Sequence, residues 1–176
     1  AGFNTNYVSD QLPLESSNTL NDSWGFNIGD HKFKSPEQIQ EMLVRAAGYN
    51  SNLLLNIGPM PNGEIQEEFV SRLNSVGRWM DRFGESIYGT RAGPVPEGDW
   101  GATTQKGDKI YVHVLHWDAP RLALAPIQRR ITTASELLSG AAVQFTQSSD
   151  GVLLRLPAVD KNEVDRVVVL KVATQP

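Results

Sequence analysis

The segment Asn52-Leu-Leu-Leu-Asn-Ile-Gly-Pro-Met-Pro-Asn-Gly63 decides how the amino-terminal half of this chain is built. Leu53, Leu54 and Leu55 form an unbroken apolar run, the pattern of a strand covered on both faces, as strands of parallel sheets are. Pro59 and Pro61 end it, because neither can donate to a ladder, and Asn62-Gly63 supplies a turn. Helical patterns precede and follow, giving helix–strand–loop–helix. Asn56 then stands at the carboxyl end of the strand, where α/β folds place their ligands. An Asn at a strand end also commonly satisfies loop backbone, and the residues alone leave both roles open.

Before the strand, Ser35-Pro36-Glu37-Gln38 reads as a helix start. Ser35 caps, Pro36 sits where its missing N–H costs nothing, and Gln38 can complete a capping box. Ile39, Met42, Leu43 and Ala46 make one apolar stripe at helical spacing, with Gly48 as the stop. After the strand, Phe69, Leu73, Val76, Met80 and Phe83 mark a second helix from about Gln66 to Phe83, capped by Gly84. Glu64, Glu67 and Glu68 suit its amino-terminal dipole. Further upstream, Ala1 to Ser17 has no clear period, although Tyr7-Val8 suits an extended segment. Asn18-Thr-Leu-Asn-Asp-Ser-Trp-Gly-Phe26 reads as a polar loop at the end of a short strand. Its Trp24 suits either a core plug or a sugar-stacking platform, and composition alone favours the plug.

From Arg91 the texture changes. Ala92-Gly-Pro-Val-Pro-Glu-Gly98 has the composition of a linker. Short alternating runs follow: Trp100 to Thr104, Lys109 to Trp117, Leu122 to Leu124, Ile131 to Ala134, Val143 to Gln147, Val152 to Leu156 and Arg166 to Val172. Strands in such a series with no helix between them predict an antiparallel sandwich. The expected domain border lies near residue 93.

Composition narrows the function classes. The 176 residues can bury a core, and 40% hydrophobic with 20% charged residues is an ordinary globular balance. A net charge of -4 without clustered Lys and Arg argues against nucleic acid. The chain lacks cysteine, which removes disulfides, thiolate metal sites and Cys nucleophiles together. No apolar run approaches membrane-spanning length. His113 and His116 are expected on opposite faces of one strand and so cannot chelate one ion with His31. No metal spacing, phosphate-cradling loop or nucleophile elbow is present, and no cofactor is expected. The chain opens Ala-Gly-Phe-Asn-Thr-Asn without Met, and a parallel sheet begun here cannot close on itself, so an amino-terminal portion is expected to be missing.

Several separated motifs carry a resemblance. Glu15-Ser-Ser-Asn-Thr-Leu-Asn-Asp-Ser-Trp-Gly-Phe26 resembles the segment of family 29 α-L-fucosidases that runs Trp-Glu-x-Cys and then Asn-Asp-Ser-Trp-Gly-Tyr. The similarity continues through Lys34-Ser-Pro-Glu37 and Met42-Leu-Val44. It is strongest at Asn52 to Pro59 and Asn62 to Ile65, and persists into Gly77-Arg-Trp79 and Gly84-Glu-Ser-Ile-Tyr-Gly89. Leu14 stands where the family usually has Trp and Ser17 where it has Cys, two packing positions that bear on subfamily.

The resemblance implies an α/β plus all-β chain: the carboxyl-terminal part of a (β/α)8-like barrel in residues 1–93, then a β-sandwich in residues 94–176. It implies release of fucose from a fucosylated glycan with retention, through two carboxyl groups roughly 5 Å apart. The nucleophilic Asp belongs to an earlier strand, and the acid/base carboxylate is expected upstream of Glu15, in the missing barrel portion. Here the resemblance points to Trp24 as the wall against the apolar face and C5 methyl of fucose. It makes Glu15 a supporting carboxylate, with proton donation as its other role, and Asn56 a residue of the barrel mouth. A rival reading makes the sandwich a carbohydrate-binding or assembly module, and needs Trp100, Tyr111 and Trp117 to form an exposed platform.

Overall fold

A computed structural model describes residues 11–12, 14–116, 119–156 and 165–174. The chain divides into two units, Ala1–Arg82 and Phe83–Pro176. The segment Tyr7-Val8 lies outside the described residues, as does Trp117.

In the first unit the order is β1 (Leu14–Thr19), α1 (Pro36–Gly48), β2 (Ser51–Asn56) and α2 (Glu67–Phe83). β1 and β2 pair in parallel, from Leu14 opposite Ser51 to Thr19 opposite Asn56. α1 starts at the expected capping box: Ser35 Oγ accepts from the Gln38 N–H at 3.2 Å, and Gln38 Oε1 accepts from the Ser35 N–H at 2.8 Å. It ends at Gly48, and Asn50, in the left-handed region at φ 58°, makes the turn into β2. Its buried residues include Val44 in place of Leu43, which is only half-buried. On α2, Phe69, Trp79 and Phe83 are buried and Leu73 is exposed, so the inward face runs through Trp79 rather than Leu73.

The core of this unit is small. Leu20, Ile39 and Phe69 are buried together, with Phe33, Leu55, Ile57 and Val76 packed against them. Phe33 meets Phe69 edge-on at 5.4 Å. The Arg72 guanidinium lies 5.0 Å over the Phe33 ring while its Nε donates to the Lys34 carbonyl at 2.9 Å. Strand alternation puts Leu53 and Leu55 on this covered face and Leu54 on the other. Leu54 is 49% exposed, which corrects the expectation that both faces of the strand are covered. The reason is topological: α1 packs against one face of β2, and among the described residues no element covers the other.

The second unit is antiparallel. β3 (Arg91–Ala92), β4 (Gly101–Lys106), β5 (Lys109–Val114), β10 (Arg166–Val172) and β7 (Ile131–Glu136) form one sheet in that order. β6 (Arg121–Leu124), β9 (Gly151–Arg155) and β8 (Gln144–Ser148) form the other. One apolar cluster draws on both, including Ile110, Val112, Val168 and Leu170 from the larger sheet and Leu122, Val152 and Leu154 from the smaller. The class is therefore mixed α/β with most strands in antiparallel sheets.

The predicted linker is not free chain. Val95 within it is buried, and Thr103 Oγ1 donates to its carbonyl at 2.7 Å. The division at Arg82/Phe83 also falls about ten residues before the expected border. The 3-10 turn at Gly84–Ser86 already belongs to the second unit, where Thr104 Oγ1 donates to the Ser86 carbonyl at 2.6 Å. β5 stops at Val114, short of the expected Trp117, because the Leu115 and His116 amides donate to the Trp100 carbonyl instead. His116 thus lies beyond the strand rather than on its opposite face.

Candidate functional site

The carboxyl ends of β1 and β2 meet at Thr19 and Asn56, and the chain leaves β1 into a loop that returns to α1 at Ser35. The loop is a braced structure. Thr19 Oγ1 donates to the Asn21 carbonyl, and Ser23 Oγ donates to Asp30 Oδ2 at 2.7 Å while accepting from Asn27 Nδ2 at 3.2 Å. Asp30 Oδ1 accepts from the Lys32 amide at 3.1 Å, and Asn27 Oδ1 from the Gly29 amide at 3.0 Å. Asp30 is buried, and the Ser23 hydroxyl above all, helped by backbone N–H groups and nearby Lys32, holds its carboxyl below the ordinary range against the opposing effect of burial.

On this scaffold the Trp24 side chain is 54% exposed and Ile28 80% exposed. The peptide of Trp24 is nevertheless held: Asn56 Nδ2 donates to its carbonyl oxygen at 2.7 Å. The core-plug reading of Trp24 is thereby corrected, because its neighbours use their polar groups to fix the backbone and leave the indole outside. An exposed aromatic whose backbone is fixed at the carboxyl end of a parallel strand pair can stack on an apolar ligand face.

The other expected site residue stands apart. Glu15 is exposed, on the same sheet face as Thr19 and Asn56 by alternation, but four residues before Thr19, roughly 13 Å back along β1. Trp24 and Asn56 are brought together and Glu15 is not. Sequence reasoning missed the bracing residues Ser23, Asn27 and Asp30, whose only local signal is a cluster of turn-forming side chains. It also passed over Gly58, whose role depends on a chain crossing invisible along the sequence.

In the second unit Tyr111 is buried and Trp100 packs against the core, so those two residues do not form an exposed aromatic platform. The Tyr111 hydroxyl donates to Glu85 Oε1 at 2.8 Å, and burial together with this carboxylate raises its pKa well above the ordinary tyrosine range. Among the described residues no group of three or more His, Asp or Glu stands together as metal ligands, and no helix is long and apolar enough to cross a membrane.

Residues 4–85 match the family model described as alpha-L-fucosidase. The α-L-fucosidase of Branchiostoma floridae is 29% identical over 154 residues, covering 81% of this chain and 33% of that protein. The tissue α-L-fucosidase of Rattus norvegicus is 31% identical over 144 residues, covering 77% of this chain and 31% of that protein. Among solved structures, α-L-fucosidase isoenzyme 1 from Paenibacillus thiaminolyticus superimposes with a TM-score of 0.83 at 34% identity, over 93% of this chain and 40% of that one. The chain thus spans about a third of the length of the curated relatives it matches. Its motifs, fold and relatives agree, and along most of its length this chain is similar to α-L-fucosidases.

Proposed function

We propose that this chain is the carboxyl-terminal part of a retaining α-L-fucosidase that hydrolyses terminal α-L-fucosyl linkages of glycans. In this reading the first unit, residues 1–82, supplies the last units of a (β/α)8-like barrel, and the second unit, residues 83–176, is a β-sandwich. The observation that carries the proposal is Trp24, held by its peptide and open at its ring, at the carboxyl end of a parallel strand pair. Fucose is a 6-deoxy sugar, so one ring face and the C5 methyl present an apolar surface that an indole can cover.

Retention requires a carboxylate that attacks the anomeric carbon and a carboxylic acid that protonates the departing oxygen. Water then cleaves the glycosyl-enzyme with the second group acting as base. Both groups belong to the part of the barrel outside this chain. Glu15 is proposed as a supporting carboxylate on the barrel-facing side of β1, and Asn56 as a residue of the barrel mouth.

Trp24→Ala in the complete enzyme should raise KM and the inhibition constant of L-fucose about tenfold, the equivalent of ~1.4 kcal/mol, with an unchanged unfolding midpoint. Unchanged constants would remove Trp24 from the site. The chain by itself should leave an aryl fucoside uncleaved while the complete enzyme hydrolyses it.

A further inference from the structure

The loop that presents Trp24 hangs from the exit of β2 at three consecutive points. The Leu20 amide, at the start of the loop, donates to the Asn56 backbone carbonyl at 3.2 Å. The Asn56 side chain donates to the Trp24 carbonyl at 2.7 Å. Two residues on, Gly58 lies flat against the Gly25–Phe26 peptide, one unit beyond Trp24: a Cβ there would fall 2.3 Å from Gly25 C, 2.5 Å from Phe26 N and 2.7 Å from Gly25 O. The φ of Gly58 is not in the left-handed region, so glycine is required for space, not for backbone conformation. All three opposing atoms are backbone, and no rotamer change can relieve the overlap.

From this we infer that Asn56 and Gly58 are positioning residues: together they fix the height and tilt of Trp24 over the carboxyl end of β2. Neither touches the sugar; Asn56 acts through the Trp24 carbonyl and Gly58 through the adjoining Gly25–Phe26 peptide. The Ser23–Asp30–Asn27 network braces the rest of the loop, so the two attachments fix the backbone from which the indole projects. Removing the donor frees the carbonyl, and adding a methyl at Gly58 lifts the peptide by more than the contact can absorb. The inference rests on Trp24 being the wall for fucose.

A double-mutant cycle on the complete enzyme tests it, with L-fucose as the titrated ligand. Asn56→Ala and Gly58→Ala should each weaken fucose binding about fivefold to tenfold when Trp24 is present, and by less than about twofold in the Trp24→Ala background, because residues acting through one group are not additive. Equal losses in both backgrounds, or no loss in either, would overturn the positioning role. If Gly58→Ala fails to fold, Asn56→Asp, which keeps the shape but cannot donate, carries the same expectation. Amide hydrogen exchange on the same variants gives a readout independent of sugar. Exchange at Ser23 to Phe26 should quicken while the β1–β2 ladder stays protected, and unchanged exchange at those amides rejects the attachment. A complete enzyme that does not bind L-fucose, yet shows the quickened exchange, would refute the fucosidase reading and leave the attachment standing.

Discussion

Ser23 uses both halves of its hydroxyl inside the Trp24 loop, donating to Asp30 and accepting from Asn27. That arrangement needs Asp30 as an acceptor on both oxygens, since Oδ1 is already taken by the Lys32 amide. A protonated carboxyl would have to redirect one oxygen as a donor, and Ser23, Lys32 and Asp22 offer mainly donors to it. The folded loop therefore favours the ionised form and lowers the pKa from its ordinary value of 3.8. A depressed carboxylate pKa contributes stability that is complete above the unfolded value and is lost as pH falls through the folded one. The unfolding free energy of the wild type minus that of Asp30→Asn should hold steady from neutrality down to about pH 4 and shrink below it. A difference that instead grows on acidification would mean that Asp30 is held protonated.

His113 on β5 joins three elements of the second unit. Its Nδ1 lies 2.8 Å from Asp165 Oδ2, just before β10, and its Nε2 lies 3.5 Å from the carbonyl of Ser86 in the 3-10 turn. Both side chains of the pair are fully buried, and Asp165 Oδ1 has no hydrogen-bond partner among the described residues. His113→Ala should therefore cost about 3 kcal/mol or more in denaturant unfolding, because it strands a buried carboxylate. His113→Phe combined with Asp165→Leu should cost less than that single change, and the opposite ranking would deny that the carboxylate depends on the imidazole. No local pattern announced this pair, since its partners are separated by 52 positions. What sequence did make legible were elements whose burial repeats locally: the run Arg166 to Val172 became β10 as read, and Ser35 to Gln38 became the cap of α1. Val95 was hidden because a Pro- and Gly-rich stretch looks unattached until Thr103 is seen beneath it. Trp24 was readable as an aromatic among small polar residues. Its exposure was not, because the loop that carries it is tied to Asn56 and Gly58, more than thirty positions away.

At the scale of the whole molecule the two units are unlike in how they finish their cores. The second unit encloses one cluster between two sheets. The first has a parallel pair with helix on one side and Ser17, Leu54 and Asn56 on the other, and each strand keeps an unpaired edge among the described residues. Two strands do not make an independently stable sheet, and an exposed apolar strand invites association. If β1 and β2 are staves of a larger barrel, Leu54 points into its interior, where side chains stack in packed layers. Leu54→Ala then has two different costs. In this chain by itself, with Leu54 half in water, the loss should stay under about 1 kcal/mol. In the complete enzyme the same change opens a cavity and should cost about 2–5 kcal/mol. Leu54→Lys should reduce self-association of this chain, measured by sedimentation, while preventing the complete enzyme from folding, since a lone ammonium cannot be buried unpaired. Equal costs for Leu54→Ala in both settings would mean that this face stays open in the larger protein, and the strand pair would then be the edge of an open sheet rather than part of a closed one.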